Sequence, residues 1–187
     1  MSSEEEDGPR GSKDPEPTRR AARVRLVLLD ADGVLTDGKL YLAPGGHDGR
    51  AFHTRDGMGI RLGQRAGLEF GIISGRDCEV VGQRGEELSI TEIHQGESDK
   101  VGRLEEILGR LGHSAEEVCF VGDDLPDLGV MRRVGLAVAP ADAAAEVRRE
   151  AHWVTEHGGG QGAVRDVVEF LLRASGKWKR TIDRYFE

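Results

Sequence analysis

The chain is short of cysteine, of long apolar runs and of positive charge, and each shortage excludes a class of protein. It has only two cysteines in 187 residues, Cys78 and Cys119, whose spacing fits neither a disulfide framework nor a zinc site. No apolar run approaches the length of a membrane span, and the amino terminus lacks the apolar centre of a signal peptide. We therefore expect a protein of the reducing cytoplasm.

The formal net charge of −8 argues against nucleic acid or an anionic membrane as a partner. It does not exclude a small phosphorylated substrate, because local positive charge can override the mean field. The polar, charged composition of residues 1–22 predicts a disordered extension. A single domain over residues 23–175 and a carboxyl-terminal tail over residues 176–187 complete the predicted organisation.

From Val24 onward, apolar runs alternate with helical periodicity, which predicts repeated βα units. The expected fold is α/β, with the strands in a doubly wound parallel sheet. Strands are predicted at Val24–Leu29, Leu68–Ile73, Ile90–Ile93, Val118–Val121, Gly135–Ala139 and, more briefly, His152–Thr155. Helices are predicted at Gly57–Ala66, Cys78–Leu88, Lys100–Leu111, Asp127–Arg133, Ala141–Ala151 and Gly162–Ala174. A capping box at Ser114–Glu117 predicts one more short helical turn.

One insertion, over residues 38–54, interrupts this rhythm. Lys39–Leu42 and Ala51–Thr54 flank a glycine-rich loop, a pattern that predicts a β-hairpin. The hairpin follows the first strand, at the edge where open α/β sheets bind ligands. Since it is too small to be a lid domain, we expect a neighbouring subunit to supply the cover.

Polar side chains follow the predicted strands in a pattern suited to phosphate chemistry. Asp30 and Asp32 follow the first strand, Ser74 the second, and Asp123 the fourth, while Lys100 begins a helix. Two carboxylates beside a glycine turn can hold a hard cation, attack an electrophile and exchange protons with a leaving oxygen. Each segment alone also fits a structural role, as a turn, a helix cap or a solvated surface lysine.

The charges favour the chemical interpretation. A lysine in the first turn of a helix opposes the helix dipole, so Lys100 does not serve helix stability. Clustered carboxylates are costly without a counter-ion, which a divalent metal supplies. Transfer of a phosphoryl group needs this neutralisation of charge more than covalent chemistry.

This order of DxD, Ser, Lys and GDD…D resembles the haloacid dehalogenase superfamily of phosphohydrolases. The resemblance implies a Rossmann-like domain, here without a cap domain, that uses an aspartyl-phosphate intermediate. Asp30 would be the nucleophile and Asp32 the general acid and base. It implies that Ser74 and Lys100 hold the phosphoryl group. It also implies a Mg²⁺ ion held by Asp30, the main-chain carbonyl of Asp32 and Asp123, with Asp124 nearby.

A closer resemblance covers about residues 23–173. The segments Phe52–Arg61, Gly71–Arg76, Val121–Asp127 and Gly158–Arg165 are similar to the 3-deoxy-D-manno-octulosonate 8-phosphate phosphatases. These capless enzymes release phosphate while making Kdo, the sugar acid of lipopolysaccharide. The resemblance implies a homotetramer in which hairpins form a central barrel and neighbouring subunits roof each site.

The same resemblance implies a substrate-binding rim. Arginine suits it, because the guanidinium group grips a carboxylate at two points. Besides Asp32 and Lys100, the implied contacts are His53, Thr54, Arg55, Asp56, Gly57, Arg61, Arg76 and Arg84. The glycines at 158–160 either link to the last helix or, as in the family, form a tail that reaches toward an active site. Gln161 occupies a position where relatives often carry arginine.

Three other functions stay open at this point. A sibling phosphatase for a nine-carbon sugar acid 9-phosphate, such as N-acetylneuraminate or its deaminated analogue, would share the catalytic centre and differ in the rim. A non-catalytic oligomerisation module would need none of the catalytic residues. A phosphomutase would need a larger lid to keep water from the aspartyl phosphate.

Overall fold

A parallel sheet of six strands with helices on both faces forms the centre of the protein, which confirms the predicted fold class. The structure is a computed structural model that describes residues 15–42 and 48–186. Its strands are β1 (Leu26–Leu29), β2 (Tyr41–Leu42), β3 (Asp48–Gly49), β4 (Glu69–Ile73), β5 (Glu92–His94), β6 (Val118–Val121), β7 (Leu136–Ala139) and β8 (Trp153–Val154). The order across the main sheet is β5-β4-β1-β6-β7-β8.

The helices connect the strands and pack on the sheet. They are α1 (Pro15–Ala21), α2 (Thr54–Arg65), α3 (Glu79–Glu87), α4 (Lys100–Leu111), α5 (Leu128–Met131), α6 (Ala145–Glu150), α7 (Ala163–Ala174) and α8 (Trp178–Ile182). Ala115–Glu117 form the short helical turn that the capping box predicted, and the Ser114 amide donates to Glu117 Oε2 at 3.1 Å. Across the described ranges, no helix is both long and apolar enough to span a membrane.

Alternation along each strand divides the core into two layers. Val27 and Leu29 of β1 join a cluster with α1, α2, α3 and α7, whereas Leu26 and Leu28 join a second cluster with α4, α5 and α6. All four side chains are fully buried. A strand buried on both faces reads as a continuous apolar run, which is why β1 was visible in the sequence.

The strand order places the site. From β1 the chain winds outward to β4 and β5, then returns to lay β6 on the other side of β1. Such a reversal opens a crevice at the carboxyl ends of the two adjacent strands. The residues that follow β1 and β6 therefore face each other.

The prediction of a disordered extension over residues 1–22 is wrong for α1. Arg20 pairs with Glu16 at 3.0 Å and donates to the carbonyl of Gly135 at 2.8 Å, while Ala21 is buried. A helix this short is held by its contacts with α7 and β7 rather than by its composition, so composition did not reveal it. Residues 1–14 lie outside the described ranges.

The hairpin has its second arm earlier than predicted. Tyr41–Leu42 pair with Asp48–Gly49, so Ala51–Thr54 do not form the arm, although Phe52 bridges to Thr36. The extended segment ends there because His53 caps α2, its Nδ1 accepting the Arg55 amide at 3.1 Å. The predicted loop centre, residues 43–47, lies outside the described ranges.

Candidate active site

A pocket of about 260 Å³ opens at the carboxyl edge of the sheet, beside the ends of β1 and β6. It brings together Asp30, Asp32, Ser74, Lys100 and Asp123, which the sequence placed on four separate segments. The remaining lining residues are Gly38, Gly75, Arg76, Asp124, Pro126 and Asp127.

A tight turn organised by Thr36 aims the two aspartates that follow β1. The amide and Oγ1 of Thr36 both donate to the carbonyl of Ala31, at 3.1 and 3.2 Å, and Oγ1 accepts the amides of Gly33 and Gly38 at 3.4 and 3.3 Å. Gly33 has φ +88°, and a Cβ there would lie 2.1 Å from Asp123 Oδ2. Thr36, which is fully buried, was not among the predicted site residues.

Lys100 forms a buried bridge between two carboxylates. Its Nζ donates to Oδ1 of Asp30 and to Oδ1 of Asp127, both at 2.8 Å, and the side chain is 7% exposed. This excludes the solvated surface lysine. Burial by itself lowers the pKa of Lys100, but the two carboxylates outweigh it and raise that pKa above its usual value, so the ammonium stays charged.

Asp127 holds both this ammonium and the acidic turn after β6. While Oδ1 accepts from Lys100, Oδ2 accepts the amides of Asp123 and Asp124 at 2.9 and 3.3 Å. Asp127 was predicted only as the start of a helix and was given no role in the site. Its position as the last acid of GDDLPD was the available signal.

The three carboxylates form a group that can hold a cation. Asp30, Asp123 and Asp127 each offer an oxygen within 4.8 Å of the others. Burial and the charges of Asp30 and Asp127 raise the pKa of Asp123 to about 8. Burial, followed by the charge of Asp127, raises the pKa of Asp30. Crowding of this kind is relieved by a divalent ion.

Asp30 and Asp123 are the better candidate ligands for such an ion, because both oxygens of Asp127 already accept hydrogen bonds. That these two carboxylates and the main-chain carbonyl of Asp32 bind the ion stays a prediction. Oxygen ligands suit Mg²⁺, which keeps part of its water shell and takes few protein carboxylates. The residues present therefore fit a magnesium ion.

Asp32 and Ser74 complete the pocket. Oδ1 of Asp32 accepts from Nε of Arg50 at 2.6 Å, and Oδ2 lies 3.6 Å from Nε of Arg76. Ser74 is 3% exposed, and its Oγ accepts the Arg76 amide at 3.3 Å. Arg50 was another residue missed by the sequence analysis, because only the fold brings it to Asp32.

Of the predicted substrate rim, only Asp32, Arg76 and Lys100 line the pocket. Arg61 and Arg84 both donate to Glu87, through its carbonyl at 2.9 Å and its carboxylate at 2.7 Å. The other rim residues lie at the start of α2: His53 caps the helix, Thr54 and Arg55 are exposed, and Asp56 and Gly57 are buried.

Asp56 in particular has a structural contact. It is 2% exposed and accepts the amide of Arg165 at 2.9 Å, which satisfies a free amide at the start of α7. Burial raises the pKa of its carboxyl group. Within one subunit Asp56 therefore joins α2 to α7, and its predicted contact with substrate stays a prediction.

The glycine segment before α7, residues 158–160, packs against the turn that follows β1. The Gly160 amide donates to the carbonyl of Val34 at 3.0 Å, and a Cβ on Gly159 would lie 1.8 Å from the Gly33 carbonyl oxygen. Asp142 Oδ1 accepts the Gly159 amide at 2.9 Å. The segment is thus neither a flexible linker nor a free tail, and Gln161 is exposed.

Comparisons with known proteins agree with this geometry. Residues 80–166 match the haloacid dehalogenase-like hydrolase family. The chain is 44% identical over 158 residues to the 3-deoxy-D-manno-octulosonate 8-phosphate phosphatase KdsC of Escherichia coli (strain K12), covering 84% of each chain.

Two solved structures are similar throughout. A probable YrbI family phosphatase from Pseudomonas syringae superposes with a TM-score of 0.91 at 41% identity, over 93% of this chain and 99% of that one. The 3-deoxy-D-manno-octulosonate 8-phosphate phosphatase of Moraxella catarrhalis, solved with magnesium, phosphate and Kdo, gives 0.89 at 32% identity, over 91% and 98%.

Proposed function

The chain belongs to the family of 3-deoxy-D-manno-octulosonate 8-phosphate phosphatases, within the haloacid dehalogenase-like hydrolases, and from this premise we propose its reaction. It hydrolyses 3-deoxy-D-manno-octulosonate 8-phosphate to Kdo, a lipopolysaccharide precursor, and inorganic phosphate, with Mg²⁺ as cofactor. We also propose that it acts in the cytoplasm.

The observation that carries the proposal is the buried contact of Lys100 with Asp30, at 2.8 Å, in a pocket that also holds Asp32 and Ser74. A carboxylate held by an ammonium at the end of a strand is fixed in position for attack on phosphorus. Lys100 and the Ser74 hydroxyl then lie beside the oxygens of the transferred group.

In the first half-reaction a carboxylate oxygen of Asp30 forms a bond to phosphorus while the bond from phosphorus to the sugar oxygen breaks. Asp32 donates a proton to that departing oxygen, which leaves as the sugar hydroxyl. Asp30, the main-chain carbonyl of Asp32 and Asp123 would hold Mg²⁺, which would supply positive charge to the phosphoryl oxygens.

In the second half-reaction Asp32 takes a proton from a water molecule as that water attacks phosphorus. The bond between Asp30 and phosphorus breaks, inorganic phosphate is released, and both aspartates regain their starting states. Lys100 stays protonated throughout and maintains the position of Asp30.

The size of the pocket supports a roof from a neighbouring subunit in a homotetramer. About 260 Å³ is below the range of roughly 300–1,000 Å³ typical of sites that enclose a whole small ligand. It suits the phosphate end of the substrate and leaves the carboxylate end outside. The rim residues that lie away from the pocket, Arg55 and Arg61 among them, would then meet the substrate of a neighbouring subunit.

A phosphate-release assay tests the function directly. The full-length protein is given 3-deoxy-D-manno-octulosonate 8-phosphate, N-acetylneuraminate 9-phosphate and its deaminated analogue, each with Mg²⁺ and with EDTA. We expect the highest kcat/KM on the eight-carbon substrate and no turnover in EDTA. Higher kcat/KM on a nine-carbon substrate, or activity that resists EDTA, would contradict the proposal.

Two substitutions separate catalysis from folding. Asp30→Asn removes the nucleophile and is expected to abolish turnover while leaving the melting temperature near that of the wild type. Asp183→Asn makes the same chemical change at an exposed position in the tail and should retain wild-type activity. Retention of activity by Asp30→Asn would exclude the aspartyl-phosphate route.

A further inference from the structure

Arg50 is a buried arginine that connects the hairpin to the catalytic turn. Its side chain is 0% exposed, Nε donates to Asp32 Oδ1 at 2.6 Å, and Nη1 donates to the carbonyl of Gly49 at 3.1 Å. Burial of a guanidinium is costly unless it is well paired. The fold brings this guanidinium to the carboxylate of Asp32, which lies 18 residues away in the sequence.

This contact makes the two oxygens of Asp32 unequal. Oδ1 is engaged by a short, charge-assisted hydrogen bond, the kind that fixes a side chain most firmly. Oδ2 lies 3.6 Å from Arg76, another pocket residue, and so belongs to the pocket side. With Oδ1 occupied, Oδ2 is the oxygen available to a leaving group or a water molecule.

We propose that Arg50 is a positioning residue for the acid and base of the reaction, fixing Asp32 so that proton exchange occurs at Oδ2. The inference deepens the proposed function and rests on it. The proton leaves Oδ2 for the sugar oxygen as the ester bond breaks, and Oδ2 receives one from water when the phosphoenzyme is hydrolysed. Because Arg50 directly follows β3, the position of the hairpin also affects the position of Asp32.

The test uses the dependence on the leaving group. A sugar oxygen needs a proton as it departs, whereas the nitrophenolate of 4-nitrophenyl phosphate departs without one. Arg50→Met is expected to lower kcat/KM on the sugar phosphate by about 100-fold, within the range known for general acid catalysis. On 4-nitrophenyl phosphate kcat/KM should fall less than about 5-fold, because only the unassisted step is measured.

Three variants accompany it. Arg50→Lys should recover part of the activity, since an ammonium can still donate to Oδ1. In the double variant of Arg50→Met with Asp32→Asn, kcat/KM should equal that of Asp32→Asn alone, as expected for residues acting as a unit. Arg110→Met, which removes an arginine from a buried carboxylate at the far end of α4, measures what a lost ion pair does by itself.

A crystal structure of Arg50→Met provides a readout independent of turnover, and it should show Asp32 turned away from its present position. Equal losses on both substrates, or an Asp32 that keeps its orientation without Arg50, would overturn the inference. A wild-type enzyme inactive on every phosphate ester would instead refute the proposed function, and the orientation of Asp32 would still test Arg50.

Discussion

At the scale of single residues, Asp127 helps to hold the ammonium group of Lys100 in place. The ammonium lies between two carboxylates at equal distances of 2.8 Å, of which only Asp30 has the proposed role of nucleophile. Asp127 balances the pull of Asp30 and keeps the ammonium in the pocket. Oδ2 of the same residue accepts the amide of Asp123 at 2.9 Å. One side chain therefore holds both the Lys100 ammonium and the acidic turn that follows β6.

We expect Asp127→Asn to lower kcat/KM by about 10- to 100-fold, somewhat less than removal of a direct donor to the transition state. The amide has no charge to hold Lys100, which then shifts toward Asp30. The affinity for Mg²⁺ should fall only about 10-fold, the low end of the usual cost of removing a side chain that supports metal ligands. Steady-state kinetics and Mg²⁺ titration by calorimetry measure the two effects.

A loss of Mg²⁺ affinity of 100-fold or more would contradict this assignment and make Asp127 a ligand. The control is again Asp183→Asn at the exposed tail. Unchanged kinetics in Asp127→Asn would show that Lys100 needs no second carboxylate.

That the candidate catalytic residues converge in one pocket could be predicted, because each follows a buried strand or begins a helix. Asp30, Ser74 and Asp123 lie close together because they follow β1, β4 and β6, which are adjacent and parallel in the sheet. The roles of Arg50 and Thr36 could not be predicted, because they depend on side-chain contacts that form only when the turn is folded. Their local sequence, an arginine after a turn and a threonine in a loop, is ordinary.

At the scale of elements, the segment before α7 acts as a support for the turn after β1. Gly159 and Gly160 lie where any side chain would collide with main-chain atoms of Gly33 or Thr36. Contact between two backbones at this distance requires glycine on at least one side. The position of α7, fixed in part by Asp56, therefore affects the turn that carries both catalytic aspartates.

Replacing Gly159 with alanine should destabilise the protein by about 2–4 kcal/mol and disturb the turn, because the new methyl group overlaps the Gly33 carbonyl. Activity should fall at least about 10-fold even at temperatures where the variant is folded, given the sensitivity of catalysis to small displacements. Chemical denaturation and steady-state kinetics on the same preparation would measure both.

The matched control is Gly109→Ala in α4. A Cβ at Gly109 meets nothing within 4 Å, so alanine should stabilise the helix by about 0.5–1 kcal/mol and leave activity unchanged. Equal behaviour of the two variants would refute the supporting role of the glycine segment.

The main elements could be predicted where burial on both faces or helical periodicity marked them. Strand β6 and helix α4 have the predicted bounds, Val118–Val121 and Lys100–Leu111. Helix α1 and the arm β3 could not be predicted, because each is held by partners distant in sequence. Short elements of this kind carry too few periodic residues to be distinguished from loops.

At the scale of the whole molecule, Glu92, which does not line the pocket, is expected to make stability depend on pH. Glu92 begins β5 at the edge of the sheet, is 6% exposed, and accepts hydrogen bonds from Arg110 and His94. The hydrogen bonds from Arg110, opposed by burial and aided by His94, lower its pKa from 4.5 to about 2.

A pKa that is lower in the folded state contributes stability above the unfolded value and loses it as pH falls. Glu92→Gln should therefore reduce the free energy of unfolding at pH 7 by about 2 kcal/mol, a figure discounted because Arg110 is half-exposed. The difference from wild type should shrink between pH 4.5 and pH 2.

Urea unfolding at pH 7 and pH 3 measures this dependence. Glu105→Gln, an exposed position on α4, is the control and should differ little from wild type at either pH. A Glu92→Gln deficit that stays constant as the pH falls would mean that packing, not charge, accounts for the contribution of Glu92.

The hairpin gives the last prediction at this scale, because it exposes apolar side chains beside an open pocket. Leu42 is 75% exposed and Tyr41 50% exposed on β2, which is unusual for large side chains on an isolated two-stranded arm. If hairpins associate in the proposed homotetramer, these side chains become buried and neighbouring rim residues complete each site.

Leu42→Asp should convert the tetramer to monomers, since a buried carboxylate at every hairpin is costly. In the monomer KM for the sugar phosphate should rise at least about 10-fold through loss of the neighbouring rim, with kcat on 4-nitrophenyl phosphate nearly retained because the phosphate end of the site lies within one subunit. Sedimentation velocity and kinetics test both, with Leu42→Met as the apolar control that should remain tetrameric. A wild-type chain that sediments as a monomer at full activity would show that one subunit suffices, and the open pocket would then have to bind the sugar carboxylate without a roof.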